Sequence, residues 1–404
     1  MMRSMFSGVT GLRNHQIKMD VIGNNIANVN TVGYKKSRVT FQDTLSQTMR
    51  GASSAQGNRG GTNPMQIGLG MTIAAIDTIH TPTSLEATGN MTDLAIEGDG
   101  FFILSDGQGY YYTRAGNFGF DEQGNLVNTA NGFKVMGWQD SSSKTPQDIK
   151  PINIQKGMLM PAKPTDIVVF AKNLNKADQV VTIPFKVYDS LGRAHNLTIT
   201  FTNNGDNTWD YDISFDPTLI SVSSGSDTGT LAFDPNGNLS GGSTINSVTL
   251  TIVGANPITF TPDFSNVTQY AKETTVDLSY QNGYPAGTLL GISVDSTGTI
   301  TGVFDNGQTM ELAQVALAVF NNPAGLMKAG RNMYTYSNNS GEPQIGLAGT
   351  GGRGTISPGS LEMSNVDLAE EFTQMIITQR GFQANSRVIT ASDEMLQELV
   401  NIKR

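Results

Sequence analysis

Apolar residues near both ends of the chain recur every seven positions, the spacing of helices that pack along a narrow apolar seam. In the N-terminal segment, from Ser4 to Val29, the recurring residues are Met5, Leu12, Met19 and Ile26. In the C-terminal segment they are Leu368, Met375, Phe382, Ile389 and Leu396, and the stripe is widened by Phe372, Met395, Leu399, Val400 and Ile402. The pattern predicts coiled-coil-like helices at both ends. We expect the recurring residues together with Phe372, which we call the seam residues, to mediate self-assembly.

The two predicted helices differ in intrinsic strength. Gly8, Gly11 and Gly23 each cost about 1 kcal/mol relative to alanine inside the N-terminal helix, although small residues also let helices approach closely. The C-terminal helix has Ser364 or Asn365 as its expected N-cap, followed by acidic residues that suit the helix dipole. The alternative is that each stripe belongs to an ordinary core helix of one domain. Two matching seams at opposite ends of a β-rich chain disfavour that alternative.

Between the predicted helices, the pattern is that of antiparallel β structure. An aspartate followed three residues later by glycine, between apolar residues, occurs in the ranges 120–126, 233–239 and 294–300. This arrangement favours a type I turn extended by a left-handed glycine. Apolar residues alternate at 185–189 and 197–201, and a Gly/Ser/Asn-rich stretch at 50–68 indicates an extended segment.

The sequence therefore predicts a mainly β fold with two antiparallel β domains, one inserted in the other, and a helical domain made by the two ends. We expect the helical domain to cover residues 1-30 and 364-404, joined to the β structure by an extended segment at 31-70. The inner β domain is expected at 71-162 and 283-363. The inserted outer β domain is expected at 163-282.

Composition and charge narrow the possible functions. The chain has no cysteine, which excludes disulfides and cysteine-ligated metals, and its net charge of −9 disfavours nucleic acid as a partner. It has no run of 18 apolar residues and no signal-peptide pattern, so we expect neither membrane insertion nor a cleaved leader. Residues 1–50 carry seven Lys/Arg against two Asp/Glu (+5), and residues 361–404 carry four against seven (−3). The two ends should therefore attract each other.

The candidate chemical motifs are weak. Gly349, Gly351 and Gly354 form a G-x-G-x-x-G, but no helix opens on it as a dinucleotide site requires. The three histidines do not have the spacing of zinc ligands, and a group of three aspartates does not have the spacing of a calcium-binding EF-hand loop. These residues are His15, His80, His195, Asp206, Asp210 and Asp212. Nothing singles out two of the 35 acidic residues for acid–base work. We therefore expect that the protein is not an enzyme, that it binds no cofactor, and that it has no catalytic or metal-binding residues. Two alternatives from other functional classes are a secreted β-rich hydrolase and a surface adhesin.

Four long motifs carry a family resemblance. DVIGNNIANVNTVGYK (Asp20–Lys35) and LEMSNVDLAEEFTQMIITQRGFQANSRVI, within 360–402, resemble the signatures at the two ends of flagellar rod and hook axial proteins. TDLAIEGDGFFIL (92–104) and YYTRAGNFGFDEQGNLV (111–127) are similar to the first β domain of that family. Segments 184–201 and 231–241 resemble the extra central domain of its hook branch, whereas Thr48–Gln66 is an added stretch of a kind that rod members carry.

The resemblance implies a structural subunit that polymerises with itself into a flexible tube, which transmits torque from rod to filament. It places both terminal helices in the inner layer of that tube. As partners it implies the distal rod protein, the hook cap, the hook–filament junction protein and the flagellar type III export apparatus. It also implies an extracellular location in the flagellum, reached without signal-peptide cleavage. The alternative within the family is a distal rod subunit of the basal body.

Overall fold

The computed structural model describes residues 2–55, 57, 60–139, 144–217, 220–222 and 227–402. The chain forms two compact units. Unit 1 comprises Met1–Gln155, Ser293–Thr301 and Glu311–Arg404, and unit 2 comprises Lys156–Ile292 and Gly302–Met310. Unit 1 thus combines residues from both ends of the sequence, while unit 2 is built mostly from one central segment.

Two long helices flank a succession of short strands. The first helix, α1, covers Met2–Ala27, and the strands that precede unit 2 are β1 Ser37–Asp43, β2 Ser46–Arg50, β3 Met65–Gly68, β4 Met71–Thr78, β5 Leu85–Ala87, β6 Leu94–Glu97, β7 Phe101–Ser105, β8 Tyr110–Thr113, β9 Phe118–Phe120, β10 Leu126–Asn128, β11 Lys134–Trp138 and β12 Lys150–Pro151. The next strands are β13 Leu159–Met160, β14 Ile167–Asn175, β15 Val180–Tyr188, β16 Ala194–Gly205, β17 Thr208–Ser214, β18 Ile220–Val222, β19 Thr228–Ala232, β20 Val248–Ile252, β21 Ile258–Tyr270, β22 Asp277–Gln281 and β23 Gly287–Val294. The remaining elements are β24 Thr299–Phe304, β25 Thr309–Val315, β26 Leu317–Val319, a 3-10 turn at Pro323–Gly325, β27 Met327–Gly330, β28 Met333–Thr335, β29 Gln344–Gly346, β30 Thr355–Pro358, β31 Ser360–Glu362 and α2 Leu368–Ile402.

The helices α1 and α2 lie side by side in unit 1 and run in opposite directions. Ser4 Oγ is 3.4 Å from Ser392 Oγ near one end of the pair. Towards the other end, Lys18 Nζ donates a hydrogen bond to Gln374 Oε1 at 3.0 Å. Residue numbers therefore fall along α2 as they rise along α1. The two terminal helices predicted from the seven-residue spacing are confirmed.

The N-cap of α2 is Asp367, so the expectation of Ser364 or Asn365 is wrong. Asp367 Oδ1 accepts hydrogen bonds from the backbone N–H groups of Ala369 at 2.8 Å and Glu370 at 3.3 Å, which are the contacts of a cap. The Asn365 side chain is used elsewhere: its Oδ1 accepts from the Lys36 backbone N–H at 2.6 Å. Tertiary contacts to the N-terminal segment therefore take the amide that could have capped the helix.

The three repeated Asp–Gly turns form as predicted. In each, the aspartate Oδ1 accepts a hydrogen bond from the backbone N–H four residues later: Asp121 at 2.7 Å, Asp234 at 2.8 Å and Asp295 at 2.9 Å. The glycine that precedes each donor is left-handed, with φ of +80°, +85° and +75°. Glycine accepts this conformation without the strain of a Cβ atom, which explains the motif.

Unit 1 is organised around an antiparallel sheet with the order β25–β11–β7–β8–β28–β27. One face covers a core that includes Phe101, Tyr112, Trp138 and Phe320, with the Tyr112 and Phe320 ring centroids 4.8 Å apart. Strand β5 pairs with β31 and β6 pairs with β30, so segments far apart in the sequence close the unit. The pair β2–β3 forms a separate hairpin whose residues are all exposed.

Unit 2 contains two sheets, with orders β18–β20–β21–β14–β22 and β15–β16–β17–β19. Alternate residues of β15, β16 and β17 are buried, as the predicted alternation requires. Its core includes Phe170, which lies 5.3 Å from Phe264 and 5.4 Å from Phe185 between ring centroids. One pairing corrects the expectation of purely antiparallel domains, because β14 and β21 are parallel. The long connection between these strands, which runs through both sheets, permits a parallel pair.

Candidate functional site

The seam residues are divided between partly buried and exposed positions. Partly buried are Met5, Leu12, Met19, Ile26, Met375, Phe382, Ile389 and Leu396. Leu368 and Phe372 are exposed, at 40% and 50% of their surface. The structure brings Ile389 against α1, since a Cβ atom added to Gly8 would lie 3.1 Å from Ile389 Cγ1. That the seam residues mediate self-assembly stays a prediction.

The buried residues of the two helices are mostly small or polar. They are Gly8, Gly11, Asn14, Ile22 and Asn25 on α1, with Glu371, Thr378 and Ser392 on α2. A Cβ atom added to Gly11 would lie 2.7 Å from the Asn385 side chain, so the glycine permits the close approach. A Cβ atom added to Gly23 would meet no described residue outside the adjacent helix backbone within 4 Å, so Gly23 has no such role here. The helices of one chain therefore approach closely at Gly8 and Gly11, where Ile389 and Asn385 of α2 contact α1, and other large apolar side chains remain exposed on their flanks.

A second apolar stripe runs along α2 outside the seam residues; the sequence pattern indicated Met395, Leu399 and Ile402, but not Ile377 and Val388. We call it the outer stripe, and it consists of Ile377, Val388, Met395, Leu399 and Ile402, all of them exposed. The signal was present in the sequence, because Val388, Met395 and Ile402 are also seven residues apart. On α1, Phe6 and Val9 are likewise exposed. Contiguous exposed apolar surface of this kind marks an interaction site in a soluble protein.

A polar junction lies where the two helices meet β1. The Asn25 amide donates to the Ser37 carbonyl at 2.8 Å and to Glu371 Oε2 at 3.3 Å. The Tyr34 hydroxyl donates to Asn25 Oδ1 at 3.2 Å. Burial, and then the charge of Glu371, raises the pKa of Tyr34, which keeps the phenol protonated as a donor. This network fixes the N-terminal end of α2 to the C-terminal end of α1.

A buried group of three charged residues, the charged cluster, lies beside this junction. Lys35 Nζ is 2.6 Å from Glu362 Oε1, and Arg114 Nη1 is 3.4 Å from Glu362 Oε2. Their side chains are 0%, 2% and 0% exposed for Lys35, Arg114 and Glu362. Burial lowers the pKa of both Lys35 and Arg114, and the charge of Glu362 partly offsets that effect. Sequence reasoning missed the cluster, although each of its members lies within one of the motifs that carry the family resemblance.

His80 lies close to the charged cluster and makes aromatic contacts. Its ring centroid is 5.5 Å from that of Phe101 and 5.3 Å from that of Tyr334. Burial, followed by the charges of Arg114 and Lys35, lowers the pKa of His80 to about 4. His80 is therefore neutral near pH 7, and its environment is that of a core residue.

The other residues weighed for chemistry are dispersed. His15 contacts Phe41 on unit 1, with ring centroids 5.7 Å apart, while His195 in unit 2 has its Nε2 3.1 Å from Asp189 Oδ2. The glycine motif at 349–354 closes a loop in which Gly349 N–H bonds the Gly354 carbonyl, and strand β30 follows it. Asp210 and Asp212 lie on β17, next to the turn that holds Asp206. Among the residues that the structure describes, no group of three His, Asp or Glu side chains could hold a metal ion.

Four family descriptions match successive parts of the chain. They are "Flagella basal body rod protein" at residues 5–35, "Flagellar hook protein FlgE/F/G D1 domain" at 95–168, "Flagellar basal body protein FlaE D2 domain" at 161–284 and "Flagellar basal body rod FlgEFG protein C-terminal" at 357–402. The flagellar hook protein FlgE of Treponema pallidum is 41% identical over 467 residues, covering 100% of both chains. That of Escherichia coli is 36% identical and covers 98% of both chains.

The chain belongs to the flagellar hook protein family. This is a family of structural proteins, and membership makes the chain a structural subunit of the bacterial flagellar hook. The flagellar basal-body rod protein FlgG of Bacillus subtilis is a weaker match, 35% identical over 100% of both chains. This rod protein also aligns with the central segment of the chain, so the presence of a central domain does not distinguish hook proteins from rod proteins here. The higher sequence identity to hook proteins does.

A solved structure supports the fold of this hook-family protein. The Helicobacter pylori flagellar hook protein FlgE2 superimposes with a TM-score of 0.51 and 15% sequence identity, covering 70% of this chain and 100% of that one. In the described part of the chain, no helix combines the length and the apolar character needed to cross a membrane.

Proposed function

We propose that this hook subunit polymerises through its paired terminal helices into a tube that forms the flexible joint between rod and filament and transmits torque. The observation that carries the proposal is the arrangement of α1 and α2. The two helices of one chain approach each other closely at Gly8 and Gly11, and large apolar side chains remain exposed on their flanks. Those flanks can be covered by other copies of the chain. The seam residues and the outer stripe are the contacts that we assign to assembly.

The free energy available from these contacts favours a polymer. Full burial of a large apolar side chain is worth about 1.5–3 kcal/mol. Phe372, Ile377 and Met395 keep 50%, 56% and 51% of their surface exposed, so about half of that value remains for a neighbour. Three such residues together offer about 3 kcal/mol on each chain. Repeated along a helical lattice, contacts of this size can hold subunits together while allowing them to slide.

Family membership supports a proposal for the partners beyond self-association. We propose that the tube starts on the distal rod protein, grows beneath a hook cap and ends at the hook–filament junction protein. Export through the flagellar type III apparatus, without cleavage of a signal peptide, would bring the subunit to this extracellular position. The opposite charges of the two ends, +5 over residues 1–50 and −3 over residues 361–404, favour contacts between them in the assembly.

We also propose that residues 163-282 form a separable outer domain that adjusts the bending of the tube, outside an inner β domain at 71-162 and 283-363. The two ends of the segment are adjacent within unit 2, because Lys163 and Tyr284 exchange two backbone hydrogen bonds of 3.1 Å. Adjacent ends are what an inserted domain requires. The family description of a D2 domain covers almost the same segment, 161–284.

Electron microscopy of the purified chain tests the proposed function. At concentrations and salt that favour polymerisation, the chain should form hollow tubes of constant diameter. A variant with Phe372→Asp, placed on the exposed part of the seam, should stay monomeric under the same conditions, while its circular dichroism remains that of the parent. Amorphous aggregates or monomers from the parent chain would contradict the proposal, and so would normal tubes from the variant.

A further inference from the structure

The charged cluster joins three segments that are far apart in the sequence. Lys35 follows α1, Arg114 follows β8, and Glu362 ends β31. The Lys35–Glu362 contact spans 327 residues and the Arg114–Glu362 contact spans 248. Each member lies in a different motif: Lys35 ends the N-terminal signature, Arg114 lies in YYTRAGNFGF, and Glu362 lies in LEMSNVDL. The cluster can therefore form only after both ends of the chain have reached unit 1.

Without Glu362, the positive charges of Lys35 and Arg114 would have no carboxylate in contact with them in the cluster. Lys35 Nζ also donates to the Thr81 carbonyl at 2.7 Å, which is a neutral acceptor. Arg114 Nε is buried and finds no hydrogen-bond partner among the described residues, and the nearby His80 is neutral near pH 7. Asp99 acts on Arg114 at longer range, but Glu362 is the carboxylate in contact with both cations. Removing its charge would leave two buried cations facing each other, and such groups are strongly unfavourable when unpaired.

Contacts beside the charged cluster also fix the path of the chain from α1 to β1. The Gly33 backbone N–H donates to the Glu362 carbonyl at 2.8 Å. Gly33 itself is left-handed, with φ of +65°, and a Cβ atom there would lie 2.6 Å from Ala115 N. On the other side of Lys35, the Lys36 backbone N–H is held by Asn365 Oδ1 at 2.6 Å. Residues 33–36 are thus seated on β31 and the segment that follows it, from which α2 starts.

We propose that the charged cluster is a latch that makes docking of the N-terminal helix depend on the C-terminal strand β31. Until Glu362 arrives, burying Lys35 beside Arg114 is unfavourable, so residues 33–36 stay undocked and α1 is not held against α2. Once Glu362 is in place, the paired helices are presented together. An incomplete or partly folded chain would then not display an assembly surface. This last consequence rests on the proposed function, whereas the latch itself is a property of the monomer.

Limited trypsin digestion of the full-length monomer tests the latch. Glu362→Gln keeps the shape of the side chain and removes its charge, so residues 33–36 should open and cleavage after Lys35 and Lys36 should accelerate by about 100-fold or more. The matched control is Glu370→Gln, which breaks the exposed Lys36–Glu370 ion pair of 2.8 Å one residue away. Cleavage of the control should stay within about twofold of the parent, since exposed ion pairs contribute little.

Two further variants separate a charge latch from simple packing. Lys35→Met leaves Arg114 paired one-to-one with Glu362, so cleavage after Lys36 should increase less than in Glu362→Gln. The double variant Lys35→Met/Glu362→Gln removes one of the two stranded cations, so its cleavage after Lys36, the site that both variants keep, should be slower than in Glu362→Gln alone. This rescue distinguishes a charge latch from packing even if Glu362→Gln unfolds unit 1. If the effect came from lost packing alone, the double variant would be cleaved faster than the single variant.

The latch is overturned if Glu362→Gln is as resistant as the parent, or if the double variant is cleaved after Lys36 at least as fast as Glu362→Gln. Both readouts are taken on monomers and do not depend on polymerisation. Failure of the parent chain to form tubes would count against the proposed function and leave the latch standing. Normal tube formation by a Glu362→Gln chain that trypsin opens would instead refute the link between the latch and assembly.

Discussion

Ile377 gives a direct test of whether the outer stripe contacts another copy of the chain. Its side chain is 56% exposed on α2, on a flank that α1 does not cover. Isoleucine and aspartate have similar helix propensities, so Ile377→Asp should leave α2 and unit 1 folded. The substitution therefore changes the surface available to a neighbour while leaving the subunit intact.

The size of the effect follows from the exposed area. Full burial of isoleucine is worth about 1.5–3 kcal/mol, so the exposed half leaves about 1 kcal/mol for a neighbour. A carboxylate in the same contact adds a desolvation cost of several kcal/mol. A total of at least about 3 kcal/mol corresponds to a rise of more than about 100-fold in the critical concentration for polymerisation.

Sedimentation of polymer over a series of total protein concentrations measures that quantity. Gln383→Asp, which adds the same charge at an exposed polar position of α2, is the matched control. We expect the control to shift the critical concentration by less than about tenfold, because a surface carboxylate stays solvated. An Ile377→Asp chain that polymerises at the parent concentration, with native circular dichroism, would refute the assignment of the outer stripe to assembly.

Three further changes have defined outcomes. Leu12→Asp or Phe382→Asp should abolish tube formation while the β structure stays folded, since a charge on either half-buried seam position loses its hydration on assembly; electron microscopy and thermal unfolding check this. His80→Phe should remove an acid-dependent loss of stability. Because the pKa of His80 is lowered from 6.5 to about 4 in the folded chain, the unfolded chain binds a proton at this residue first as the pH falls. The free energy of unfolding that neutral His80 contributes is therefore complete above pH 6.5 and is lost between pH 6.5 and 4. Urea unfolding should show that the parent loses about 3 kcal/mol more stability than the variant over this range. Replacing residues 163-282 by a short Gly/Ser linker should leave a chain that is exported and polymerises, with altered curvature or stiffness in electron micrographs.

Each of these expectations has a contrary result. Tubes of normal length from either seam variant would remove Leu12 or Phe382 from the assembly contacts. Parallel stability curves for the parent and His80→Phe between pH 7 and about 4 would show that the histidine does not resist protonation. A linker chain that is secreted but stays monomeric where the parent polymerises would show that the central segment is essential to assembly.

Local patterns made most of the fold accessible from the sequence. The seven-residue spacing predicted both terminal helices, because an apolar stripe along a helix is a short-range property. The Asp–Gly turns were predictable for the same reason, since the aspartate and its backbone donor are four residues apart. The parallel pairing of β14 with β21 could not be predicted from local patterns, because the segment that connects the two strands is long and contributes strands to both sheets.

The proposed assembly surface could be predicted from the sequence only in part. Seven-residue spacing fits more than one stripe on α2, and which stripe faces α1 depends on Gly8, Gly11 and the residues opposite them. The α2 cap was misplaced because Asn365 and Asp367 are both good caps, and only the fold shows that Asn365 binds Lys36. The charged cluster depends on contacts across 248 and 327 residues, which no local pattern reveals.

The central claim, that copies of this hook subunit join through their terminal helices, is tested most directly by cysteine accessibility. The chain has no cysteine, so a single Ile377→Cys or Met395→Cys substitution provides one reporter on the outer stripe. Maleimide labelling should be fast in the monomer, where these positions are 56% and 51% exposed, and at least about tenfold slower in the polymer, as contact with a neighbour excludes the reagent. Equal labelling rates in monomer and polymer, at both positions, would contradict the account.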